Sequence, residues 1–410
     1  MSSAVGFSAA TDDILRTLGR PGRAYFAALI GLAAVLAFAG YAFLYQVRVG
    51  LGVAGYQHPT LWAIYITNFV FWIGITHSGT LISAVLFLLR ARWRTGVARA
   101  SEAMTVFAIM TGALFPILHL GRPWLFYWLL PYPNERQLWV NFRSPLIWDL
   151  FALLTYLTLS IVFLYVGLLP DIATARDRVR DWRQGIYRVL ALGWSGSDRQ
   201  WRQYLSLYGL LAALAVPLAV SVHSVVSWDF AVTLLPGWHS TIFAPYFVAG
   251  AIFSGVAMII TLLVPLRTLL GLEHHMQVRH FEQLGKLLLT MSLILSYAYA
   301  MEFFGAWYSG STFERSTYWA RLTGPYAPYT SAMLVCNVLV PLTLLSRRVR
   351  RNLRTLFGVA IVALIGMWVE RYVIVVSSLT HGFDPANWMG VYRPTWVEGA
   401  ITAGSFALFF

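Results

Sequence analysis

Ten long apolar runs, parted by short polar connections, make up most of this chain. They cover roughly Tyr25–Gln46, Leu61–Leu89, Met104–Leu120, Pro145–Leu169, Tyr204–Val226, Ile242–Leu266, Leu287–Phe304, Tyr329–Leu345, Leu356–Val376 and Ala400–Phe410. A helix needs about 20 apolar residues to cross the hydrocarbon of a bilayer. The first nine runs meet or approach that length. The tenth stops on Phe-Ala-Leu-Phe-Phe, so its helix is expected to continue beyond the last residue given. No basic-then-apolar leader with a small-residue cleavage site precedes the first run, which is read as retained.

The connections alternate in charge. Those before segment 1 and after segments 2, 4, 6 and 8 carry 22 basic residues, and the opposite set carries 7. Arg16 and Arg20 fall in the first set and Arg136 in the second. Basic residues collect in cytoplasmic loops. The alternation therefore supports ten segments with a cytoplasmic N-terminus. The other two long connections, 121–144 and 305–328, are rich in Trp, Tyr, Pro and Gly, as suits the headgroup level of a membrane or a docking platform. Composition agrees: 58% of the 410 residues are hydrophobic and 11% charged, against about a quarter charged in soluble domains. The net charge of +13 belongs to these loops and is not read as a nucleic-acid footprint. The single cysteine, Cys336, excludes an internal disulfide and any iron–sulfur cluster held by this chain alone.

A weak internal repeat is visible. His77-Ser78-Gly79 aligns with Phe253-Ser254-Gly255, His119 to Trp124 with Glu302 to Trp307, Ser144-Pro145 with Ala327-Pro328, and Val225-Val226-Ser227 with Val375-Val376-Ser377. Segments 2–5 and 6–9 then form two four-helix bundles in parallel orientation. The expected fold is an all-α integral membrane protein of about ten transmembrane helices. Its parts are a cytoplasmic segment 1–24, a first helix and outer loop 25–60, bundles 61–226 and 227–376, and an outer loop with the last helix 377–410. The polar residues are not repeated: Glu302 stands where the first copy has His119, and Ala332 where it has Asp149.

Ionisable residues at membrane depth are costly and are functional candidates by default. His119 ends segment 3 and Asp149 lies one turn into segment 4, so a hairpin returns both to the same outer depth. His223 and Asp229 lie near the end of segment 5, Glu302 ends segment 7, Glu370 and Arg371 lie late in segment 9, and Glu398 opens segment 10. His77 sits alone in mid-membrane, beside Ser78 and Thr80 and three turns after Thr67 and Asn68. Packing glue between helices and a proton path are both open readings for it. His274, His275 and His280, with Glu273 and Glu282, are read as a solvated loop face and not as a metal site.

An imidazole and a carboxylate at one bilayer face suit a quinol, which releases two protons with its two electrons. Trp124, Phe126, Tyr127 and Trp148 can wall such a ring. His77, His119 and His223 differ in depth, so a bis-histidine haem is not favoured and the electron acceptor is expected on a partner. Four readings stay open on the residues alone: a quinol-handling subunit, a structural or proton-conducting subunit without its own quinol, a secondary transporter and, more weakly, a membrane cytochrome b. The transporter lacks the paired broken helices that such folds use.

The runs WAIYITNFVFWIGITHSGTLISA, LFPILHLGRPW, SPLIWD, VHSVVSWDFA, EFFGAWYSG and MWVERYVIVVSSL resemble the NrfD/polysulfide-reductase membrane-subunit family, and most closely the NrfD-like subunits of bacterial alternative complex III. The resemblance runs from segment 2 to segment 9. It implies a respiratory oxidoreductase in a bacterial cytoplasmic membrane, with menaquinol as lipid substrate and no haem or iron–sulfur cluster in this chain. It implies as partners an extracytoplasmic iron–sulfur protein, a multihaem cytochrome c and a second NrfD-like subunit. By correspondence, His119, Asp149 and Asp229 are the quinol-oxidising residues, with Trp124 and Trp148 beside them. His77, His223, Glu302, Glu370 and Arg371 become candidates for a proton pathway.

Overall fold

A computed structural model describes residues 15, 19, 21–132, 134, 137, 141–385, 388 and 390–410, with the backbone alone at 92 and 95. Arg16, Arg20 and Arg136, and most of the expected segment 1–24, lie outside the described residues. Among the described residues, nine helices are long and apolar enough to cross a membrane: α1 (Arg23–Val49), α2 (Ile64–Leu88), α3 (Ala98–His119), α4 (Pro145–Arg178), α5 (Asp198–Ala231), α6 (Phe243–Leu269), α7 (Val278–Tyr308), α8 (Ala327–Leu345) and α9 (Leu353–Thr380). A shorter apolar helix, α10 (Trp396–Phe409), follows. All ten apolar runs are helical, and most helices extend past the run that predicted them. Two short helices, Arg183–Leu190 and Thr312–Thr323, occupy connections that the sequence pattern left without structure.

Local chemistry explains the helix starts. Ser197 and Gln200 close a reciprocal capping box on α5, and Thr395 and Glu398 close another on α10. The Asn352 side chain accepts from the first amides of α9. Pro145 opens α4, where its missing N–H costs nothing.

Helices α2, α6 and α9 form the core. The apolar windows of α2 and α6 are 94% and 78% buried, whereas that of α1 is 11% buried and faces outward as a lipid-exposed helix does. The crossing of α2 and α6 is close because Gly255 has no side chain. A Cβ there would stand 2.0 Å from Ser78 Cβ, and the Ser78 hydroxyl donates to Ala251 O at 2.7 Å. The two aligned Ser-Gly motifs therefore meet at one point. Trp72 and Asn68 of α2 donate to Ser405 and Thr402 of α10, tying the last helix to the core. The alternating helices define two faces. One carries the arginine-rich connections and is called the arginine face below. The other carries the aromatic connections and is called the aromatic face.

Candidate functional site

Asp149 and Asp229 come together at the aromatic face, from the start of α4 and the end of α5. Both are buried, and their carboxyl groups lie within hydrogen-bonding reach of each other. Neither ionised group can donate, and both Asp149 oxygens and Asp229 Oδ1 have no donor. The neighbouring residues on the same helices, Trp148 and Trp228, meet edge to face at 6.1 Å. Trp148 Nε1 donates to Phe142 O, which fixes its ring.

His119 ends α3 on the same face. Its ring stands edge-on to Tyr56 at 5.2 Å and its Nδ1 is buried without a partner. It makes no hydrogen bond to Asp149, whose carboxylate neighbour is Asp229. Around Tyr56, the Tyr65 amide donates to the Tyr56 hydroxyl, Tyr65 donates to Gln46, and Gln46 donates to Leu118 O at 3.1 Å. Tyr392 donates to the fully buried Glu398 beside them. Trp124 is exposed on the short helical turn Pro123–Leu129.

The five buried candidates in the interior form one line. The His77 ring stacks on Tyr156 (4.7 Å, 10°) and lies 4.8 Å from the His223 ring. His77 Nδ1 bonds Ile73 O, whereas its Nε2 and both His223 nitrogens are unpartnered. His223 approaches Phe247 at 5.9 Å, and the Arg371 guanidinium lies 4.3 Å over that Phe247 ring. Gly250 clears the way, since a Cβ there would meet Arg371 at 2.6 Å. Arg371 Nη1 stands 3.0 Å from Glu370 Oε1, a contact of charges without hydrogen-bond alignment. Tyr299 donates to Glu370 Oε2, and Asn337 Nδ2 donates to it at 3.2 Å. Beyond them Tyr318 donates to Glu302, and Arg321 lies 4.6 Å over the Tyr318 ring. Arg321 is itself buried, donating to Ser377, Ser378 and Gly237 O. Wide π-type turns at Val335–Leu339 and Val373–Ser377 interrupt α8 and α9 beside Asn337 and Glu370. Such turns gather at functional sites.

Sequence reasoning missed Glu102. It lies fully buried near the arginine-face end of α3, accepting from Ser83 and Tyr208 and paired with Arg99 at 3.3 Å. Arg99 also reaches Asp171 at 3.2 Å. Glu102 precedes the apolar run of its helix by two residues and so reads as loop. Asn337 and Arg321 were missed as well. An asparagine inside the apolar stretch VCNVLVPL was a usable signal; nothing in the sequence singles out Arg321. Glu282 is occupied by Arg347 and Arg351 at 3.4 and 3.0 Å. No group of three or more His, Cys, Asp or Glu among the described residues is placed to hold a metal.

The family model "Polysulphide reductase, NrfD" matches residues 52–381, and the chain belongs to that family. It is similar to a putative dimethyl sulfoxide reductase membrane subunit of Halobacterium salinarum, 26% identical over 429 residues covering 96% of this chain and 90% of that one. It is also similar to a selenate reductase subunit of Mesobacillus selenatarsenatis, 21% identical over 390 residues covering 90% and 88%.

Proposed function

We propose that this NrfD-family chain is the quinol-handling membrane subunit of a multi-subunit respiratory reductase. One observation carries the reading: Asp149, Asp229 and His119 present unpartnered buried acceptors at a single membrane face, next to paired tryptophans. A quinol head carries two hydroxyl donors and fits such a set. Its oxidation yields the quinone, two protons and two electrons. The carboxyl pair and the imidazole take the protons. The electrons pass to redox groups of a partner seated on the aromatic face, the expected extracytoplasmic iron–sulfur protein. The two reductase relatives support this setting.

Finer assignments belong to the same proposal. The arginine face is the cytoplasmic side of a bacterial inner membrane, the N-terminus is cytoplasmic, and the substrate is menaquinol. In an alternative complex III setting, the assembly is completed by a multihaem cytochrome c and a second NrfD-like subunit. The line from His77 through His223, Arg371 and Glu370 to Glu302 supports a second reading, proton conduction across the core. The intact complex separates the two. On the first reading His119→Ala or Asp149→Asn abolishes quinol-dependent electron transfer. Wild-type turnover in both variants removes the quinol reading and leaves a proton-conducting subunit.

A further inference from the structure

A quinol is an amphiphile, and its head site needs a lipid-facing path for an isoprenoid tail. Between α1, α3 and α10 runs a cavity of about 250 Å³, walled mainly by apolar residues such as Leu36, Phe43, Leu114, Leu118 and Leu408. Gly40 of α1 lines it, and a Cβ there would meet nothing within 4 Å. Its back is shut where Gly404 of α10 lies against Ala39, which a Cβ would approach to 2.2 Å. At the aromatic-face end the groove reaches Leu118. The Leu118 carbonyl is held by Gln46, and the next residue is His119, with its unpartnered buried Nδ1. The polar groups continue through Tyr65 and Tyr56, with Glu398 beyond them. An apolar slot that ends at Leu118, the residue before the unpartnered imidazole of His119, suits a chain with a hydroxylated head.

We propose that this groove holds the isoprenoid tail of the quinol and is its path from the bilayer to His119. The assignment rests on the quinol reading above. A competing groove lies between α4 and α5, about 480 Å³ in volume and lined by Leu154, Thr155, Thr158, Leu159, Val162 and Leu211. Two helices wall it, not three.

The test uses the intact complex and two probes, a menaquinol carrying a tail of four isoprene units and the tail-less menadiol. The readout is the ratio of their kcat/KM values. Gly40→Phe fills the groove without a clash at Cβ and is expected to lower that ratio about tenfold, equivalent to about 1.4 kcal/mol. An unchanged ratio overturns the proposal, as does a fall produced instead by Thr158→Phe. A second measurement needs no substitution. A quinol with a photoreactive group at the tail end should label helices 23–49, 98–119 or 396–409. Labelling confined to 145–178 or 198–231 overturns the assignment. The two failures are distinguishable: a wild-type complex that oxidises neither probe removes the quinol reading and the groove's occupant with it, whereas normal oxidation with an unchanged ratio removes the tail path alone. A phospholipid chain as the true occupant gives that second pattern.

Discussion

Replacing Arg371 by methionine tests whether the buried line is held together by charge. Arg371 is 1% exposed and Glu370 0%. Its guanidinium has three supports: the Glu370 carboxylate at 3.0 Å, the Phe247 face at 4.3 Å and the Tyr246 face at 6.0 Å. A desolvated cation–π contact contributes about 2 kcal/mol. Removing one member of a buried ion pair costs about 3–5 kcal/mol, because the other charge is left uncompensated. Tyr299 and Asn337 still donate to Glu370, which places Arg371→Met at the low end of that range. The double variant Glu370→Gln/Arg371→Met leaves no buried charge, and its amide can still meet Tyr299 and Asn337. It should recover about 1–3 kcal/mol, the coupling expected of residues in direct contact. The assay is thermal loss of the folded complex in detergent, followed for wild type, both single variants and the double. A double variant no more stable than Arg371→Met refutes the reasoning. If the line also carries protons, the double variant keeps quinol-dependent electron transfer but moves fewer protons per electron in liposomes.

Three further outcomes are expected. Gly255→Ala puts a methyl 2.0 Å from Ser78 Cβ and should destabilise by about 1–3 kcal/mol as overpacking does, with Ser78→Gly restoring part of the loss in the same thermal assay. Glu102→Leu removes the acceptor for Ser83 and Tyr208 and leaves Arg99 with Asp171 alone, so the folded yield should fall well below that of Glu102→Gln; equal yields contradict a hydrogen-bonding role. Glu314, on the aromatic-face helix Thr312–Thr323, has its carboxyl pushed above the ordinary range by burial, partly offset by the Gly237 amide it accepts from. A raised folded-state value means that the folded form holds its proton longer. Stability should therefore fall as pH rises from the ordinary glutamate value of about 4.3 through the higher folded value. Glu314→Gln should flatten that part of the pH–stability curve, and an identical curve counts against the assignment.

The helices were legible in the sequence because the bilayer imposes a length and an apolar content on each. The grouping of side chains was legible only where neighbours in space are also neighbours along a hairpin. His119 and Asp149 return to one face for that reason. His77 and His223 lie 4.8 Å apart although 146 positions separate them, and no local pattern reveals it. Asp149 finds Asp229 and not His119, because the approach of α4 to α5 decides its partner. Tyr208, Tyr299, Tyr318 and Tyr392, which donate to Glu102, Glu370, Glu302 and Glu398, were hidden for another reason. The chain has 21 tyrosines, and most tyrosines in such a protein serve as interface anchors, so the few that order buried acids do not stand out.

The two halves of the chain differ in where their buried unpartnered polar atoms lie: the first has such atoms at the aromatic-face ends of α3, α4 and α5, and the second has them at Asn337, Glu370 and Arg371. In the second half, Arg321 uses its donors on Ser377, Ser378 and Gly237, and Glu302 has the Tyr318 hydroxyl. Those residues serve one another, whereas Asn337 Oδ1, Glu370 Oε1 and both Arg371 Nη atoms have no aligned partner. In the first half, both Asp149 oxygens, Asp229 Oδ1 and His119 Nδ1 are buried and without partners. Leaving a buried acceptor unpaired costs about 1–3 kcal/mol for a neutral group and more for a charged one. On the quinol reading, a head group with two hydroxyl donors would offset that cost at the aromatic face, where the second half has Glu302 in place of His119 and Ala332 in place of Asp149.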